Sequence, residues 1–245
     1  MLLLCEHASN FIPAEFGCLG LPARDLDRHI AWDIGALGLA RQLSALLDAP
    51  LAHATYSRLL LDLNRDVSAT DSIVEHSEDT AVPGNIGLTA SERQLRQHAL
   101  YQPFHHGIDE LINRRLKDGL ATSVVSLHSF TPVYNAIMRP WHAGVIAQDD
   151  RFLADAMLAS LRSESGLIVG DNQPYGPQDG VFHSVGRHGQ ARGLPCAMIE
   201  VRNDLLADDA SQHQWAERLQ RALLHALHPE KNRHDPTRTN LSTPQ

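Results

Sequence analysis

Four short apolar runs in this chain stop abruptly on polar residues. LLLC, from Leu2 to Cys5, leads to Glu6-His7, and LLLDL leads to Asn64-Arg65. VVSL leads to His128, and AMI leads to Glu200 and Arg202. Runs this apolar need cover on both faces, which sheets in α/β proteins obtain from helices. Helical periodicity appears between them. From Arg24 to Leu47 the residues Leu26, Ile30, Ile34, Leu37 and Leu43 fall near one stripe. Thr89 with Glu92 forms a capping-box pattern that opens a helix running to Gly119, and Pro103 is expected to kink or split it. Further helices are predicted over Asp150 to Leu161 and Ser211 to Leu227. Strands are predicted at Arg58 to Leu63, Ser123 to His128, Gly144 to Ala147, Leu167 to Val169 and Cys196 to Val201. The alternation predicts one α/β domain over residues 1–228, with a mixed, mostly parallel sheet sandwiched by helices. Residues 66–88 read as a long loop, and 229–245 as a disordered tail.

In open α/β sheets ligands bind beyond the carboxyl ends of the strands. Polar groups delivered to that rim by four strands therefore point to a site. A net charge of −8 opposes nucleic acid as a partner and still permits a small anionic substrate met by local arginines. No segment approaches the roughly 20 apolar residues of a membrane span. The start of the chain lacks the pattern of a signal peptide, so a cytoplasmic location is expected. Cys5, Cys18 and Cys196 lack zinc or disulfide spacing, and Cys5 and Cys196 read as inert core thiols. No Gly-x-Ser-x-Gly elbow is present, which opposes a serine hydrolase.

Imidazoles and carboxylates without cysteine suit one catalytic Zn2+ ion. His7 and His128 are the imidazole candidates. Asp33, four residues after His29 on the predicted first helix, is preferred over Glu6 as the carboxylate ligand. Glu200 is then free for acid–base work. Arg65 can grip a substrate carboxylate, with Asn64 adding a hydrogen bond, and Arg139 and Arg202 are candidates for a second anionic group. Tyr175 lies in a Pro/Gly-rich loop that could close over substrate. The plainer readings are a core role for His128 beside a serine, an Asp33 pair with His29 or Arg28, and a Glu200–Arg202 pair. His105, His106, His183 and His188 read as surface residues.

DLNRD, SLHSF and IEVRND resemble segments of zinc carboxypeptidases. More closely, CEHASNFIP, HIAWDIGA, YSRLLLDLNR, SLHSFTP, RPWHAGVI, GDNQPY and GLPCAMIEVRNDL resemble, in order, blocks of the N-formylglutamate amidohydrolase family. The resemblance implies a phosphorylase/hydrolase-like, zinc carboxypeptidase-like fold. It implies hydrolysis of a small anionic N-acyl amino acid, with N-formyl-L-glutamate as the expected substrate. It assigns His7 and His128 to zinc, Glu200 to general acid–base catalysis and Arg65 to the carboxylate clamp. The carboxypeptidase His-x-x-Glu pattern is replaced here by His7-Ala8-Ser9-Asn10. That departure leaves a carboxypeptidase-like or other N-acyl amino acid hydrolase as one alternative, and a metal-free binding protein of the same fold as another.

Overall fold

A computed structural model describes residues 1–227, so the predicted tail at 229–245 lies outside the described residues. In chain order its strands are β1 (Leu2–Cys5), β2 (Leu51–His53), β3 (His76–Ser77), β4 (Thr80–Ala81), β5 (Val124–Phe130), β6 (Val133–Tyr134), β7 (Ile137–Met138), β8 (Ala143–Ile146), β9 (Val169–Asp171) and β10 (Cys196–Arg202). Its α-helices are α1 (Ala23–Leu26), α2 (Ala36–Leu47), α3 (Ala90–Arg96), α4 (Gln102–Lys117), α5 (Phe152–Arg162), α6 (His183–His188) and α7 (Asp209–Leu227). Six strands form one sheet in the order β2-β1-β5-β10-β8-β9, parallel except where β8 runs against β10. This is the mixed, mostly parallel, helix-covered sheet that the alternation predicts. None of the described helices is long and apolar enough to cross a membrane.

The alternation of side chains along each strand sorts them into two cores. Leu3, Cys5, Val125, Leu127, Ala197 and Ile199 face α2, α5 and α7. Leu2, Leu4, Val124, Cys196 and Met198 face α4 and α6. On this second face the strands change character at one level. Glu6 follows Leu2 and Leu4, Ser126 and His128 follow Val124, and Glu200 follows Met198. The register pairs Glu200 with His128 and Leu4 with Ser126. One face of the sheet is thus apolar at the amino ends of its strands and ionisable at their carboxyl ends.

Two predicted elements are different in the structure. The helix expected from Arg24 to Leu47 is broken into α1 and α2, with turns between. Its stripe serves two different cores: Leu26 packs with Leu59 and Leu60, whereas Leu37 and Leu43 pack under the sheet. Gly35, at φ 81° against Leu206, makes the break. Asp33 therefore sits on a turn ahead of α2 and not on a helix face. Its backbone N–H donates to the His7 carbonyl at 2.9 Å, which ties it to the end of β1.

The strand expected at Arg58 to Leu63 is absent, and β2 takes the edge of the sheet instead. Leu59, Leu60, Leu61 and Leu63 are still buried. Their backbone finds side-chain partners in place of a ladder, as buried carbonyls must. Asn85 donates to Leu59 O at 2.8 Å, Arg96 to Leu60 O at 3.0 Å and His105 to Leu63 O at 3.0 Å. Asn85, Arg96 and His105 are all buried. His188 is buried as well, so the surface reading of His105 and His188 is corrected. Pro103 is accommodated by a π-helical turn, Gln97–Tyr101, immediately before α4.

Candidate active site

A cavity of about 300 Å³ opens beyond the carboxyl ends of β1, β5 and β10. His7, Asp33, His128 and Glu200 line it with Arg58, Asp62, Asn64, Arg65 and Tyr175. The hairpins β3–β4 and β6–β7 flank its mouth, contributing Ser77 and Tyr134. His29 lies between them, bonded to Glu78 at 3.1 Å and edge-on to Tyr134.

At the floor, His7, Asp33 and His128 each present one ligand atom, all within 4.8 Å of one another. Asp33 Oδ2 is 3.3 Å from His7 Nδ1 and 2.8 Å from His128 Nδ1. The outer nitrogens of both rings also face acidic groups. His7 Nε2 is 2.7 Å from Asp62 Oδ1. His128 Nε2 is 2.9 Å from Ser126 Oγ and 3.3 Å from Glu6 Oε2, with Ser126 Oγ donating to that carboxylate. Glu6 and Asp33 thus address opposite nitrogens of one imidazole, and only Asp33 reaches the side shared with His7. Ring nitrogens that donate outward to carboxylates while presenting the inner nitrogen are the usual second layer of histidine metal sites.

Arg58 spans the acids, with Nη1 3.5 Å from Asp33 and Nη2 bonded to Asp62. Asp62 also accepts the Asn64 backbone N–H at 2.8 Å. Burial penalises the Asp62 carboxylate, but Arg58 and His7 outweigh it and hold Asp62 well below the usual range. Glu200 is different. It is buried, its Oε2 has no hydrogen-bond partner among the described residues, and burial, with the charge of Asp33, raises it to about 7. A carboxyl poised near neutrality beside a polar cavity can both take and return a proton.

The remaining predicted residues separate into groups. Arg65 lines the cavity, with Nε donating to Asp71 at 2.8 Å and Nη1 to the Gly180 carbonyl at 3.0 Å. Asn64 lines it too, but its amide binds the Val181 carbonyl and the Ser184 N–H, so it anchors α6. Arg139 is buried between Tyr134 and Tyr175, whose ring centres lie 4.5 and 4.6 Å from its guanidinium carbon. Its Nη1 has no hydrogen-bond partner among the described residues. Tyr175 reaches the cavity because Gly144 lets the Gln173 carbonyl lie directly on β8; a Cβ there would collide with it. Arg202 is not brought in. Its guanidinium is bound by Asp204 at 2.8 Å, away from the cavity lining, and the predicted pairing with Glu200 is not formed.

Sequence reasoning missed Arg58, Asp62, Ser126 and the orienting place of Glu6. A signal was available for some of them: Arg58 and Asp62 are four residues apart in RLLLDLNR, and Ser126 shares a strand face with His128.

A mostly parallel, helix-covered sheet that gathers imidazoles, carboxylates and arginines past its strand ends has the layout of an α/β enzyme site. The chain belongs to the N-formylglutamate amidohydrolase family, whose model matches residues 1–207. A crystallised gene product of Agrobacterium tumefaciens is 43% identical, with a TM-score of 0.91 over 94% of this chain and 91% of that one. An N-formylglutamate amidohydrolase from Ralstonia eutropha shares the fold at 24% identity and a TM-score of 0.58, over 94% of this chain and 93% of that one. No curated protein matches the chain.

Proposed function

We propose that the chain is a zinc-dependent amidohydrolase that cleaves an N-acyl amino acid, with N-formyl-L-glutamate as its substrate and glutamate and formate as products. The observation that carries this reading is a proton count. All four nitrogens of His7 and His128 face an oxygen acceptor. Two neutral imidazoles carry two N–H groups in total. If these serve Asp62 and the Ser126–Glu6 pair, both inner nitrogens point lone pairs at Asp33; without an ion a proton meets the conflict, since burial lowers His128 but its bonds to Asp33 and Glu6 outweigh that and raise it well above the usual range. A divalent cation at that meeting point supplies the missing positive charge. It also balances the acids gathered there, Glu6, Asp33, Asp62 and Glu200, of which Arg58 pairs with Asp33 and Asp62. His7 Nδ1, His128 Nδ1 and Asp33 Oδ2 would hold it. Nitrogen and oxygen donors without thiolate suit zinc.

When bound there, the ion polarises the acyl carbonyl and lowers the pKa of water to about 7. Glu200 takes the proton of the attacking water and delivers it to the departing amine nitrogen. Its unpartnered Oε2 is free to do so. Arg65 serves the substrate carboxylate, with Asn64 fixing the wall beside it through α6, and Tyr175, which lines the cavity with Arg139 packed behind its ring, serves a second anionic group. Of the two remaining guanidinium candidates, Arg139 is favoured over Arg202, because its Nη1 is buried and unpartnered whereas Arg202 is bound by Asp204.

Metal analysis of protein purified without chelator, together with a panel of N-formyl, N-acetyl and peptide substrates, tests the proposal. About one equivalent of metal per chain and fastest cleavage of the N-formyl dicarboxylic amino acid are expected. Below about half an equivalent, with no cleavage of any panel member, the hydrolase reading is wrong.

A further inference from the structure

Outside the cavity lies a second buried cluster that the proposed chemistry does not use. His105 on α4 and His188 on α6 are both buried, with ring centres 5.0 Å apart and planes within 19°. His188 Nε2 is 2.7 Å from His105 Nδ1. On the far side, His188 Nδ1 is 3.0 Å from Asp109, which also binds Arg187 and Arg192. At the near end, His105 Nε2 is 3.0 Å from the Leu63 carbonyl. A carbonyl oxygen only accepts, so His105 carries its proton on Nε2. Its Nδ1 is then the acceptor for His188 Nε2–H.

Leu63 is the residue between Asp62, which orients His7, and Asn64-Arg65. The whole stretch lacks a strand neighbour. Its carbonyls depend on side chains, and the Leu63 carbonyl, between cavity-lining Asp62 and Asn64, is held by His105 with Ser184 Oγ at 3.3 Å. We infer that His105 is a positioning residue for the Asp62–Arg65 segment, acting through the Leu63 carbonyl and itself held in place and tautomer by the His188 Nε2–H. The inference rests on the hydrolase reading for its kinetic consequence alone; the geometry it asserts is independent of the reaction.

The test compares His105→Phe, which keeps bulk and loses the donor, with His105→Gln, whose amide can still donate to Leu63. The first readout is amide hydrogen exchange of the full chain. In His105→Phe the Asp62 and Asn64 amides are expected to exchange at least about tenfold faster, with the β5 and β10 amides unchanged. His105→Gln should restore wild-type exchange to within about threefold. The second readout is kinetic: KM for an anionic N-formyl amino acid rises about tenfold in His105→Phe and recovers in His105→Gln, at unchanged metal content. Uniform acceleration of exchange across the domain, or equal damage in both variants, overturns the inference. A wild-type protein that cleaves no substrate sinks the hydrolase reading, and the exchange data still decide the positioning claim. Should His105→Phe not fold, a cycle of Ser184→Ala with His105→Leu, which also lacks the donor, takes its place. The two donors share one acceptor, so their exchange effects should be non-additive, and strict additivity overturns the inference.

Discussion

Among the described residues lie two buried histidine pairs, and they differ in what surrounds them. His7 and His128 stand edge to face with ring centres 4.8 Å apart, and His105 and His188 are stacked at 5.0 Å. The first pair is enclosed by Glu6, Asp33 and Asp62, with Glu200 close by and Arg58 pairing with Asp33 and Asp62. The second has one carboxylate, Asp109, shared by Arg187 and Arg192. Excess negative charge makes the first a place for a cation. At the second the countercharge is already present on Arg187 and Arg192, and burial lowers both rings, His105 to about 3 and His188 to about 4. On the proposed function, similar ring spacing thus serves opposite ends, chemistry in one case and scaffolding in the other.

The contrast is broken most directly by removing one ligand at each centre. His128→Ala or Asp33→Ala should bring metal content below about half an equivalent and activity to background, whereas His188→Gln should leave metal content at the wild-type level. Metal loss in His188→Gln would erase the distinction. Next in size, Glu200→Gln should retain the metal and lose about a thousandfold in kcat. A variant that kept most of its turnover would assign the proton transfers elsewhere. Asp62→Asn removes the charge behind His7 and should weaken metal binding by roughly 10- to 100-fold, as read by chelator competition. Arg65 lies on the segment that joins the two centres. Its replacement by Ala should raise KM for an anionic substrate about tenfold, and an unchanged kcat/KM would remove the clamp.

The smallest effect separates the centres by pH. His105 and His188 sit below their unfolded value of about 6.5, so between pH 6.5 and about 4 the unfolded chain binds protons that the native rings do not. The contribution to stability is complete above pH 6.5 and is lost as pH falls, on the order of 1 kcal/mol per pH unit for each ring. Denaturant titrations at pH 7 and pH 5 should show the wild type losing more stability than His105→Gln. Equal losses would mean that His105 does not titrate abnormally.

The face of the sheet that carries the site was readable from residues alone. Hydrophobic burial drives Leu2 to Cys5, Val124 to Leu127 and Cys196 to Ile199 into the interior, and polar residues directly after them have no place but the rim. His7, His128 and Glu200 could be named on that basis. The segment from Arg58 to Leu63 was misread because burial leaves the same apolar signature whether carbonyls meet a neighbouring strand or the side chains of Asn85, Arg96 and His105. The partners of each imidazole were equally hidden, since Asp62 and Glu6 lie 55 and 122 residues from the rings they orient.

Local pattern by itself determined the α/β architecture, the apolar strands and the rim that their polar ends must form. Those properties follow from periodicity and burial, which act over a few residues. Only the tertiary structure decided which acid faces which nitrogen, that Arg202 turns away to Asp204, and that His105 and His188 lie inside. Charge compensation among buried groups depends on neighbours tens to a hundred residues apart, and their sums are set only when the chain has closed around them.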